Sequence, residues 1–139
     1  MADTLTAIAK GQGLTWPSCM WIDLPDGGRP RVLVAADAAS RAKGLMGRLR
    51  LNYDEGMLFV FDSPGSHPMW MAGMLVPIDV LWLHSDGTIL HTEYALKPCT
   101  AADPRDCPDY GAGVDNCKYV LELAAGRAAF MKIGEKVSF

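Results

Sequence analysis

The sequence predicts an α+β domain, mainly antiparallel, built as a small sheet or partly closed barrel of about five to six strands with two short helices. Three observations carry this reading. Two apolar runs, residues 57–61 and 75–83, are bounded by the turn formers Pro64, Gly65, Pro68 and Gly73, as buried strands are. Asp86-Gly87 offers a tight turn from the second run into residues 88–94, which alternate in hydropathy. Residues 118–123 alternate again and place Tyr119, Leu121 and Leu123 on one face.

Residues 1–30 read as an arm packed on the domain, with residues 31–139 forming a single domain. The arm is punctuated by Trp16-Pro17, Pro25 to Gly28 and Pro30, and holds one short strand near residues 20–24. Trp16, Trp21 and Ile22 are expected to anchor it, since packing is the commoner use of such side chains. Residues 31–36 form a strand with Val32 and Val34 inward. Asp37 then caps a helix over residues 38–45, which Gly44 and Gly47 end. After the two core strands and the hairpin come residues 95–117, more than twenty positions without a period. Loops that long inside a compact domain need a reason. Residues 124–131 suggest the second helix, with Arg127 and Lys132 toward its C-terminal end, and residues 136–139 a last strand.

Composition narrows the function classes. The chain has 139 residues, is half apolar, 21% charged, and has a net charge of −3. Its basic residues are scattered, the densest group being Arg41, Lys43, Arg48 and Arg50, so nucleic acid is not an expected partner. No run approaches the roughly eighteen apolar residues of a membrane span. The first sixteen residues lack the pattern of a signal peptide, which leaves a cytoplasmic protein or a mature extracytoplasmic chain.

Four cysteines bear on that choice. Cys99 and Cys107 flank seven residues of the long loop, where a disulfide would restrain it. Cys19 and Cys117 remain, and an even count permits a second bridge stapling the arm, although spacing alone does not fix connectivity. Structural zinc prefers cysteine pairs two to four residues apart, and a redox centre needs Cys-X-X-Cys; neither spacing occurs. Disulfides are therefore favoured over metal, and with them a periplasmic or secreted location.

The order of motifs resembles a known family. Arg41-Ala-Lys-Gly-Leu-Met46, Glu55-Gly-Met-Leu-Phe-Val-Phe61, Met69-Trp-Met71, Pro77-Ile-Asp79, Asp86-Gly87, Cys107-Pro-Asp-Tyr110 and Tyr119-Val-Leu-Glu-Leu123 are similar to the uncharacterised ACR family, domain of unknown function 192. The resemblance spans residues 32–137 and implies a fold and an extracytoplasmic compartment, but no reaction. Two departures stand out. Where the family usually continues Trp-Met with Lys-Asn-Thr, this chain has Ala72-Gly73-Met74, and Lys118 replaces an arginine.

The motifs converge on a groove lined by Arg41, Trp70, Met71, Met74 and Asp79, expected to bind a small ligand or a segment of an envelope protein. No cofactor is expected. Asp79 interrupts an apolar strand, where an unpaired carboxylate would be costly. It is read as the acceptor of backbone hydrogen bonds or the partner of a buried arginine, with general base as the alternative. On that alternative the protein would be a hydrolase or lyase acting on an envelope polymer. A third reading takes the methionines around Trp70, with His67 just upstream, as soft ligands for Cu(I); their usual use is packing. His84 and His91 flank the hairpin turn without a third ligand, and no phosphate loop, nucleophile elbow or zinc-protease motif is present.

Overall fold

The computed structural model describes residues 18–139. Trp16 and the rest of the arm before Ser18 lie outside the described residues. The elements run β1 (Ser18–Trp21), β2 (Arg31–Ala35), α1 (Ala38–Lys43), β3 (Glu55–Gly65), β4 (Met69–Trp70), β5 (Ile78–Leu83), β6 (Ile89–Leu96), β7 (Asp109–Tyr110) and β8 (Cys117–Ala124). Six strands form one sheet in the order β1-β2-β3-β8-β5-β6, while β4 and β7 pair separately. All sheet pairs are antiparallel except β2 with β3, which α1 connects as a crossover. The sheet is thus mixed rather than purely antiparallel.

Strand β8 sits in the middle, between β3 and β5, so both of its faces are covered. On one face Tyr119, Leu121 and Leu123 join Met20, Ile22, Leu24, Leu58, Leu81 and Val137. On the other, Val120 and Cys117 join Met57, Phe59, Val80, Trp82 and Met71. The C-terminal segment helps close the first core. Ser138 exchanges backbone hydrogen bonds with Asp23, Val137 donates to Gly87, and Ile89 donates to Glu135. It bridges the two ends of the sheet through isolated contacts rather than as a full strand.

Several expectations need correction. Only one α-helix forms among the described residues, joined by a single 3-10 turn at Pro104–Asp106. Residues 124–131 make successive turns instead, with Arg127 bonded to Ala124 and Met131 to Ala128. Gly126 adopts φ +89°, and the Ala128 amide is diverted to the Asp79 carboxylate, so the ladder of a helix cannot propagate. Helix α1 is shorter than expected, ending at Gly44 with φ 51°, but Asp37 caps it as read, in a reciprocal box with Ser40. Ile22 is fully buried, whereas Trp21 is half exposed and does not anchor the arm.

The long loop has its reason. A Cys99–Cys107 disulfide pins it, with Cα atoms 5.9 Å apart. The loop's Leu96, Tyr110 and Val114 pack on the second core, and Gly111 lies so close to the Trp82 indole that a Cβ would sit 2.3 Å from it. The second bridge does not form: Cys19 and Cys117 are free. They lie on β1 and β8, separated by β2 and β3. Three ladder steps of about 4.8 Å put them far beyond the roughly 7 Å limit for a disulfide.

Candidate functional site

A groove of about 440 Å³ opens on the second face of the sheet. One wall is α1 and the turn after it, contributing Arg41, Lys43, Leu45 and Met46. The opposite wall is the β4–β7 flap and the loop beyond it, contributing Met69, Trp70, Ala72, Met74 and Asp109. Phe59 and Phe61 from β3 and Glu122 from β8 form the floor. The walls are tied together where Gly47 donates to the Gly73 carbonyl at 3.1 Å. Gly73 has φ +73°, and a Cβ there would meet the Met46 sulfur at 2.8 Å, so this junction admits glycine alone without rearrangement.

Arg41 chiefly braces that wall. Its Nη1 donates to the carbonyls of Ala36 and Val60 at 2.7 and 2.9 Å and lies 3.7 Å from the Asp62 carboxylate. The guanidinium stands over the Phe61 ring at 5.6 Å. Lys118 serves the same irregular end of β3, donating to the carbonyls of Phe61 and Asp62. His67 stacks on Phe61 with ring centroids 3.7 Å apart, and its backbone carbonyl accepts from the Trp82 indole. Trp70 is 43% exposed at the mouth.

Of the five residues read as a ligand set, Arg41, Trp70 and Met74 meet in this groove, and Met71 and Asp79 do not line it. Met71 is buried in the second core, and its carbonyl accepts from Cys99 and Met74. Asp79 is fully buried and lies opposite Leu123 in register, on the face away from the groove. Its two oxygens accept from the amides of Ala95 at 2.7 Å and Ala128 at 2.8 Å. The first of these holds Ala95, whose φ of 51° is unusual for a residue with a side chain. Asp79 is therefore a backbone clamp. His84 and His91 each bond a carboxylate near in sequence, Asp86 and Glu93, rather than converging on a shared site.

The residue that sequence reading missed is Glu122. It is only 5% exposed, stands opposite Met57 and Val80 in register, and lines the groove. Its carboxyl has no hydrogen bond or ion pair among the described residues, and because none of their fully enclosed side-chain oxygens is left unpaired, it opens into the groove rather than being sealed in the fold. Burial alone pushes its pKa up to about 8, so the group is largely protonated at neutral pH. Alternation along residues 119–123 assigns Glu122 to the face opposite Tyr119 and Leu121, which an edge strand would expose. The available signal was Val120, an apolar residue on that same face, which marks a strand covered on both sides.

A second, smaller hollow of about 240 Å³ lies between β1, β2 and the segment after α1, lined by Cys19, Leu33, Arg48, Leu51 and Glu55. Cys117 is inert by comparison: its thiol is buried, donates to the Tyr119 carbonyl, and has its pKa raised to about 11 by burial.

Comparison with known proteins places the fold. The chain is similar to a crystal structure of a candidate transcription regulator from Sinorhizobium meliloti, at 29% identity and TM-score 0.73. That match covers 90% of this chain and 96% of the other. It is also similar to a protein of unknown function from Novosphingobium aromaticivorans, at 27% identity and TM-score 0.73, covering 87% of this chain and 84% of the other. No curated protein matches. The profile described as uncharacterized ACR matches residues 22–139, and the chain belongs to that family, domain of unknown function 192.

Proposed function

We propose that the protein is a small-molecule-binding module whose site is the groove between α1 and the β4–β7 flap. The observation that carries this is Glu122, a buried carboxyl without a partner at the floor of an apolar groove of about 440 Å³. Among the described residues no fully enclosed side-chain polar atom lacks a partner, so the Glu122 carboxyl is one that an occupant of the groove, not the fold, would satisfy. The volume falls in the range of small-molecule sites, and a largely apolar lining with few polar groups is their usual character. The disulfide supports an oxidising, extracytoplasmic compartment. A net charge of −3 gives no support to a nucleic-acid surface, whatever the Sinorhizobium protein does.

The test is methionine-methyl NMR with phenethyl alcohol as probe. Shifts confined to Met46, Met69 and Met74, with Met20 and Met131 of the first core unmoved, support the reading. No shift at millimolar probe, or equal shifts on both faces, overturns it.

A second reading has its own observation: three thioethers, Met46, Met69 and Met74, line the one groove. Soft sulfur ligands suit Cu(I); of the methionines around Trp70, Met69 and Met74 line the groove with Met46, while Met71 is buried in the second core. Cuprous titration of Met46→Leu with Met74→Leu decides it, since retention of metal by that variant removes the idea. Hydrolase or lyase chemistry through Asp79 gains no support, because both of its oxygens are held by backbone amides away from the groove.

A further inference from the structure

We infer that the groove selects a protonated amine carried on a short apolar body, with the Glu122 carboxylate as its counter-ion. This rests on the binding reading above and names the ligand class. The groove floor offers a single polar side chain, and it is an acid that nothing in the fold neutralises. An ammonium supplies what is missing, an opposite charge with N–H donors, and charge-assisted bonds of this kind are among the strongest in a dry site. Phe59 and Trp70 line the same groove with aromatic surface, which attracts a cation and repels an anion, whereas Phe61 is already engaged by His67 and Arg41.

Three other charged groups line the groove. Arg41 and Lys43 come from α1, Asp109 comes from β7, and β3 and β4 contribute no ionisable side chain to the lining. Arg41 is committed to two carbonyls and lies near Asp62, and it makes no ion pair with Glu122. Asp109 adds a second negative charge near the mouth.

The proton balance gives a signature. An alkylamine, like a lysine side chain, is an ammonium in water up to about pH 10. Binding it against Glu122 requires the carboxyl to ionise, so at neutral pH one proton leaves Glu122 for the solvent per ligand bound. The pKa of about 8 then dictates that affinity for the ammonium rises by about ten-fold per pH unit up to that value and levels off above it.

The experiment compares phenethylamine, phenethyl alcohol and phenylacetate by methyl NMR and calorimetry, on the wild type and on Glu122→Gln. Expected are an amine affinity at least about ten-fold above the alcohol's at pH 8, proton release at pH 7, and loss of both in Glu122→Gln. Glu122→Gln keeps the side-chain volume and removes the ionisable group, and the wild-type pH profile tests the idea even if that variant misfolds. Equal binding of amine and alcohol, preference for phenylacetate, or an amine preference that survives Glu122→Gln overturns the amine while leaving the groove intact. Failure of all three probes to move the groove methyls overturns the binding reading itself.

Discussion

Two buried carboxyls lie on neighbouring strands and face opposite sides of one sheet. Asp79, on β5, has both oxygens filled, one by an amide near the end of β6 and one by an amide in the turns that follow β8. Glu122, on β8, has neither filled and opens on a groove. The fold spends one acid on its own backbone and leaves the other vacant. Burial alone therefore does not single out a functional residue; a carboxyl without a partner that opens on a groove is the stronger candidate.

The most damaging way to test the contrast is Asp79→Ala. It strands two amides and releases the turns at Ala95 and Ala128, for a loss of about 5 kcal/mol in urea unfolding, since each unsatisfied buried group costs about 1–3 kcal/mol and a charged acceptor more. A loss under about 1 kcal/mol would show that water replaces the carboxylate and that the clamp is dispensable.

Glu122 should behave in the opposite sense, through pH. Its folded pKa is raised, so between the ordinary glutamate value and about 8 the folded state holds a proton that the unfolded state has released. Stability then falls as pH rises through that window and is flat above it, by an amount on the order of 5 kcal/mol. Glu122→Gln removes this part of the slope, and denaturant midpoints from pH 5 to pH 9 check it. An unchanged slope would mean that the carboxyl reaches solvent.

How much of this was legible beforehand follows the same division. Local chemistry could be read: the Asp37 cap, the tight hairpin at Asp86-Gly87, the Cys99–Cys107 bridge, and the alternation that puts Tyr119, Leu121 and Leu123 in a core. Asp79 was legible as structural because an acid in an apolar run must find donors, but its placement in the ligand set was not, since it lies away from the groove. What required three dimensions was strand order. Nothing local says that β8 lies between β3 and β5, and that placement alone turns Glu122 from a solvent-facing residue into a groove floor. The same ignorance of order allowed a Cys19–Cys117 bridge across three strand spacings. The Ala72-Gly73-Met74 departure was visible as a difference, but its effect emerges only here. Ala72 and Met74 make the groove wall apolar, and Gly73 lets Met46 pack against it.

The roof of the groove depends on the disulfide loop. Cys99 donates to the Met71 carbonyl and bridges to Ala72, immediately after β4, while Cys107 precedes β7. Replacing both cysteines by serine should cost about 2.5 kcal/mol by the chain-entropy estimate for so short a loop. Hydrogen exchange should quicken in β4 and β7 more than in β8. Equal acceleration everywhere would make the bridge a global staple rather than a brace for one face.

The smallest effect on stability, and the sharpest on the groove, is expected from Trp70→Ala. Trp70 is 43% exposed on a two-residue strand, whereas Trp82 is fully buried with its indole nitrogen donating to the His67 carbonyl. Removing the buried indole should cost about 3–5 kcal/mol, while exposed positions usually change stability by no more than about 0.5 kcal/mol. Trp70 nevertheless forms part of the aromatic wall, so its loss should weaken phenethylamine binding by several-fold, on the order of 1 kcal/mol for an aromatic contact. Unfolding and binding measured on the same preparation separate the two roles. If Trp70→Ala destabilises as much as Trp82→Ala, the flap belongs to the core and the groove is a seam in it. If it leaves both stability and binding untouched, the ligand sits deeper, against Glu122, Phe59 and Met74 alone.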